Sequence, residues 1–185
     1  MPAPDMRKED IGRLVEEAVL LQRTARQDLR FSYTPPQENV VLACDGRQVS
    51  QAVTNLIKNA VESIEERLQR GLDSTPGKVR IALDDNADSV LIRVTDNGVG
   101  LPQQVSHRLT EPYMTTRKKG TGLGLAIVRK VIEEHGGSLA FENDSALGET
   151  GASMMLVLPK SPRETTDEDG VQAGTRDNEP LQEQA

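Results

Sequence analysis

The chain has 185 residues, a formal net charge of −7, 2% aromatic residues and one cysteine, Cys44. Such a length favours one compact domain with some chain left over, and a lone cysteine excludes an internal disulfide and suits a reducing compartment. Residues 161–185 alone contribute −5 of the charge, so the remainder is nearly balanced and offers no basic footprint for nucleic acid.

In chain order, Ile11, Leu14, Val15, Ala18 and Val19 recur at three and four, which predicts a helix from about Lys8 to Gln27. Leu29, Phe31 and Tyr33 alternate as a strand, Pro35-Pro36 interrupts, and Val40-Val41-Leu42 reads as a second short strand. Asp45 is an expected N-cap for a long helix reaching about Arg70, with Val49, Ala52, Val53, Leu56, Ala60, Val61 and Ile64 on its apolar face. After a turn-rich stretch, Val79, Ile81, Leu83 and then Val90, Ile92, Val94 predict an antiparallel pair. From Asp96 to Gly120 periodicity is lost, and a loop of that length inside a compact domain usually serves function, as a lid does. A helix is predicted from about Leu123 to His135, ended by Gly136-Gly137. Strands near Ser138–Asn143 and Ala152–Leu158 come last. The sum is an α+β fold, a two-layer sandwich of helices over a mixed sheet. Residues 161–185, acidic and nearly devoid of large apolar side chains, are expected to be a disordered tail. No apolar stretch reaches the ~18–20 residues of a membrane span and no secretory signal is present. A soluble, cytoplasmic segment without membrane contact is the expectation.

Three separated motifs carry chemistry. Asn55 and Asn59 are spaced i, i+4 on the long helix, so both amides project from one face, in a stripe extended by Gln51 and Glu62. Asparagine is a weak helix former, and its carboxamide oxygen is a hard ligand suited to Mg²⁺. Two solvent-facing asparagines would give the same pattern. Next, Asp96-Asn97-Gly98-Val99-Gly100 comes directly after a strand. A carboxylate there can accept from the exocyclic amine of adenine, and Gly98 and Gly100 allow positive φ and close backbone approach to a flat ring. Asp-Asn-Gly is also a common turn. Last, Gly120-Thr121-Gly122-Leu123-Gly124-Leu125 opens a helix, where backbone amides form an anion site suited to a triphosphate. Arg117, Lys118 and Lys119 precede it and add positive charge. A dinucleotide-binding reading fails for want of a βαβ setting.

In this order and at these separations, the motifs resemble the catalytic ATP-binding domain of two-component sensor histidine kinases, of the superfamily shared with gyrase B, Hsp90 and MutL. Asn55–Asn59 is similar to the N box, Asp96–Gly100 and Gly120–Gly124 to the two glycine boxes, and Thr110–Thr116 to the phenylalanine box, with Tyr113 as its aromatic residue. Glu134-His135-Gly136-Gly137 and Leu158-Pro159 also resemble these kinases, and the likeness runs over roughly residues 10–160. Residues 111–122 further resemble nitrogen-regulation kinases of the NtrY kind, a membrane-anchored group.

That resemblance implies the Bergerat ATP-binding fold in residues 28–160, with an ATP lid at about 101–119 and a helical segment, 1–27, leading from a dimerisation hairpin. It implies ATP and Mg²⁺ as ligands, with Asn59 on the metal, Asn55 on the phosphate side and Asp96 reading adenine. Gly98, Gly100, Thr116, Lys118, Lys119, Gly120, Thr121, Gly122, Leu123, Gly124 and Leu125 would complete the nucleotide site. Ser153 stands for a threonine that helps bind the base, Met154 for a late-strand phenylalanine, and Glu62 for a lysine near the phosphates. The implied reaction is transfer of the γ-phosphoryl group to a histidine on a separate dimerisation domain, and from there to a response regulator. His107 and His135 both read as structural or surface residues rather than the phosphoacceptor, so the chain is expected as a monomeric catalytic module whose parent sits at a bacterial inner membrane. Three rivals share the core: an ATPase switch of the gyrase type, an anti-sigma-factor serine kinase and a non-catalytic nucleotide sensor. The amide of Asn55 is a poor base for the first, and the wording at Glu134–Gly137 speaks against the second.

Overall fold

The computed structural model describes residues 3–72, 74–101 and 123–161. Strand β1 (Arg7–Asp10) runs directly into α1 (Ile11–Ala25), and β2 (Arg30–Tyr33) and β3 (Val41–Cys44) come after it. Helix α2 (Gly46–Gln69) is next, then β4 (Lys78–Asp85), β5 (Ser89–Asp96), α3 (Gly124–Glu134), β6 (Ser138–Asn143) and β7 (Ala152–Pro159). The main sheet has the order β2-β4-β5-β7-β6. β2 pairs parallel to β4, and all the other pairings are antiparallel, so the sheet is mixed as expected.

One sheet face is apolar because β4, β5 and β7 alternate in phase. Val79, Ile81, Val90, Ile92, Val94, Met154, Leu156 and Leu158 are all buried, and the register sets Val94 opposite Met154 and Ile92 opposite Leu156. Against this face packs α2, whose Val49, Val53, Leu56, Ile57, Ala60 and Ile64 are all fully buried. Each large side chain among them contributes about 1.5–3 kcal/mol on leaving water. Helix α3 adds Val128, Val131 and Ile132 to the same core. Met154 lies in it as the sequence implied.

One feature departs from the sequence reading, and one packing relation adds to it. The first turn of the helix expected from Lys8 is instead β1, which pairs antiparallel with β3 in a separate ribbon, Arg7 opposite Cys44 and Asp10 opposite Val41. Asp10 then becomes the N-cap of α1, accepting from the Arg13 N–H at 3.2 Å. Second, the apolar face of α1 is buried with that of α2: Ile11, Val15, Ala18 and Val19 belong to the same core cluster as Val49 and Val53.

Helix α2 is capped as predicted: Asp45 accepts from the N–H groups of Arg47 (3.0 Å) and Gln48 (3.2 Å). It also accepts from Asp5 N–H at 3.1 Å, and its own N–H donates to Nε2 of His135 at 3.0 Å. The Nδ1 of His135 lies 2.7 Å from the Val131 carbonyl, so the ring donates there and accepts from Asp45, which requires the neutral form. Buried and engaged through both nitrogens, His135 is structural. Cys44 is fully buried, and burial pushes its thiol up to about 11, which leaves it inert.

Candidate nucleotide site

Helix α2 presents Asn55, Asn59 and Ser63 at successive i+4 positions, hence as one stripe. The two asparagines are half-buried, at the margin of the apolar face. Asn55 Nδ2 is buried and has no hydrogen-bond partner among the described residues. A buried amide donor of this kind suits an acceptor such as a phosphate oxygen. A Cβ built on Gly124 would lie 3.7 Å from Asn59 Oδ1 and 3.8 Å from its Nδ2, so the start of α3 abuts the second asparagine. There Leu123 is the N-cap and offers no side-chain hydrogen bond to the helix amides, leaving the first-turn N–H groups suited to an anion. Leu123, Gly124 and Leu125 are half-buried at this junction.

One turn beyond Asn59, Ser63 meets the loop that leaves β5. Val99 N–H donates to Ser63 Oγ (3.2 Å) and to the Ser63 carbonyl (3.3 Å). Gly98 packs so tightly there that an added Cβ would lie 2.5 Å from the Ser63 carbonyl carbon. The glycine is thus required by contact with α2, and its φ is not positive, which corrects part of the role expected for it. Gly100 does have a positive φ, +77°.

Asp96 ends β5 on the core face and is only 1% exposed. Its Oδ1 accepts from Gly98 N–H at 2.7 Å, which fixes the carboxylate within its own loop. Neighbouring segments grip the loop as well. Asn97 Oδ1 accepts from Lys78 N–H (2.7 Å) and its amide nitrogen donates to the Pro76 carbonyl (3.0 Å). Thr150 Oγ1 donates to the Gly98 carbonyl (2.7 Å), and Asn143 Oδ1 accepts from Leu101 N–H (2.7 Å).

Asn55, Asn59, Asp96, Gly98, Leu123, Gly124 and Leu125 therefore gather around one stretch of α2, while Gly100 lies further along the loop against Asn143 and Gly151. Ser153 does not join them. In the β5–β7 register Asp96 faces Ala152, whereas Ser153 faces Thr95, and directly opposed residues share a sheet face. Ser153 Oγ lies 3.1 Å from Thr95 Oγ1, on the face turned away from the helices. The residue on the Asp96 side is Ala152, which has no hydroxyl to offer a base. Thr116, Lys118, Lys119, Gly120, Thr121 and Gly122 lie outside the described residues, as do the rest of the expected lid beyond Leu101 and most of the acidic tail. Glu62 is exposed on α2.

Sequence reasoning missed Ser63, Thr150 and Asn143. The first is accessible from spacing, being the third member of the 55–59–63 stripe, although Glu62 and Gln51 are the more conspicuous polar neighbours. The other two are ordinary polar residues at either end of a connecting loop, and nothing local marks them. A cleft of about 390 Å³ lined by Asp88, Ser89, Gly136, Gly137, Pro159 and Lys160 lies elsewhere, at the Ser89 end of β5, about 24 Å of strand away from Asp96.

Residues 44–162 match the family model described as histidine kinase-, DNA gyrase B-, and HSP90-like ATPase. The nitrogen regulation protein NtrY of Azorhizobium caulinodans is 42% identical over 161 residues, which cover 85% of this chain and 20% of that protein. Sporulation kinase A of Bacillus subtilis is 34% identical over 148 residues, 78% of this chain and 22% of that one. The chain thus spans about a fifth of the length of these curated relatives. Solved domains match more fully. A nucleotide-free catalytic domain of histidine kinase ThkA aligns with a TM-score of 0.72 at 28% identity, covering 85% of this chain and 97% of that chain. The ATP binding domain of PrrB from Mycobacterium tuberculosis gives 0.65 at 27%, covering 85% and 98%. The family match takes in every site residue on α2, on the loop after Asp96 and at the start of α3, and the chain belongs to the histidine kinase-, DNA gyrase B- and HSP90-like ATPase family.

Proposed function

We propose that this chain is the catalytic domain of a sensor histidine kinase of the NtrY kind, which binds Mg²⁺-ATP and passes the γ-phosphoryl group to a histidine on a separate dimerisation domain. The observation that carries this reading is the convergence on α2: Asn59 against the start of α3, and Ser63, one turn later, against the loop that holds Asp96. A ligand with a flat base, a polyanion and a metal has a complementary group for each. The Asp96 carboxylate accepts from the adenine amine. Asn55 donates through Nδ2 to a phosphate oxygen, and the first-turn amides of α3 take the phosphates. Asn59 would hold Mg²⁺ through its amide oxygen, and the ion would supply charge neutralisation at the phosphates.

Phosphoryl transfer proceeds through a loose transition state, so positioning and charge neutralisation dominate. An imidazole with a pKa near ~6.5 is already neutral and nucleophilic at pH 7, so the domain needs no strong base. None stands beside Asn59 at the Asn55 position, in keeping with transfer to histidine rather than to water. A response-regulator partner, an ATP lid in residues 101–119 and a membrane-anchored parent follow from the sequence resemblance and belong to the same proposal.

The test is incubation of the chain with γ-labelled ATP and a separate histidine-bearing helical hairpin from an NtrY-type kinase. Acid-labile, base-stable label on the hairpin is expected. Asn59→Ala should lower labelling roughly a hundredfold and abolish the Mg²⁺ dependence of ATP binding in a variant whose urea transition shows it to be folded. Acid-stable phosphoserine, free phosphate alone, or nucleotide binding without transfer would each replace the proposal with one of its rivals.

A further inference from the structure

Ser63 contributes a hydroxyl that nothing in the proposed chemistry uses, yet it is 4% exposed and in contact with the loop that carries the base reader. The loop is fixed on its outer side by Thr150 and Asn143, each at 2.7 Å. From the α2 side the side-chain bond is Val99 N–H to Ser63 Oγ, and the backbone of Gly98 lies flush against the same residue. Gly98 in turn donates to Asp96 Oδ1 at 2.7 Å. A short, continuous path therefore runs from the helix turn at Asn59–Ser63, through Val99 and Gly98, to the carboxylate.

We propose that Ser63 is a positioning residue for base recognition. Its hydroxyl fixes the Asp96 loop at a set distance from the helix that carries Asn55 and Asn59, so that the two ends of one ligand are met at once. This rests on the nucleotide reading given above. Removing the hydroxyl leaves Val99 N–H with the Ser63 carbonyl at 3.3 Å as its acceptor, so the loop stays folded but loses one of its two anchors on α2.

The experiment measures ATP and GTP affinities, Val99 amide hydrogen exchange and urea unfolding for wild type and Ser63→Ala. ATP affinity is expected to fall about fivefold, the scale of one neutral hydrogen bond. GTP affinity should hold, so the preference for ATP narrows by the same factor. Val99 should exchange faster while the urea midpoint stays near that of wild type. Ser63→Cys replaces the oxygen with a weak acceptor at similar volume and reads the same quantities if the alanine variant fails to fold. ATP affinity equal to wild type in a folded variant overturns the assignment of Ser63 alone, as does an equal loss for ATP and GTP. A wild-type chain that binds no adenine nucleotide overturns the nucleotide reading together with the inference built on it.

Discussion

At the scale of single residues, the loop after β5 is defined by what cannot be added to it. Gly98 lies against the backbone of α2, where an added Cβ would stand 2.1 Å from Ser63 Oγ and 2.5 Å from its carbonyl carbon. The second of those atoms belongs to a helix anchored in the core and cannot yield. Gly98→Ala should therefore push the loop off the helix at a cost of about 1–3 kcal/mol, the range for overpacking. Chemical denaturation would show the loss, and ATP affinity should fall with it because Asp96 moves with the loop. The turn itself was legible in the sequence from Asp96-Asn97-Gly98 directly behind a strand, whereas a base-reading role was suggested only by its combination with the other two motifs. The reason for the first glycine was not legible, because close approach between distant segments leaves no mark in either one. Ser153 shows the same limit: the family resemblance implied a base contact, but a one-residue difference in strand phase sets it on the other face, beside Thr95.

Among the elements, α2 was the most readable, because its apolar spacing, its cap and its asparagines all agree. Asp45 is the cap, and bonds from the backbone N–H groups of Asp5, Gln48 and Arg47 hold its carboxyl below the usual carboxylate range. A depressed pKa in the folded chain means stability that is fully present above the unfolded value of about 3.9 and lost as pH falls through the folded one. Asp45→Ala should cost about 1–2 kcal/mol at pH 7 by urea unfolding, and the gap from wild type should narrow below about pH 4. A gap unchanged in acid would mean that the carboxylate is not what the cap contributes. Strand β1 was the least readable element. Arg7-Lys8-Glu9-Asp10 has no apolar alternation, and its pairing is dictated by β3, a distant segment of the chain. A local pattern carries no record of such a partner.

At the scale of the molecule, α1 and the two layers share one core among the described residues. Ile11, Val15, Ala18 and Val19 are at most 7% exposed. Removing residues 1–27 would uncover their partners on α2 and should lower stability by roughly 5 kcal/mol or more, from about 1.5–3 kcal/mol for each large side chain. Typical domains hold only ~5–15 kcal/mol, so the truncated chain should show a broad, weak urea transition where the intact one shows a single sharp step. The helical period of α1 was visible in the sequence. Its membership in the core was not, because an amphipathic face does not announce what it covers.

Helix α2 is at once a wall of the proposed site and the central strut of the core. Any ligand that grips this wall binds the folded chain and not the unfolded one, and each tenfold gain in its concentration above the dissociation constant adds about 1.4 kcal/mol to the resistance against melting. Occupancy and endurance become a single quantity in a molecule arranged this way. A thermometer would serve as well as a binding assay to follow the filling of the proposed site.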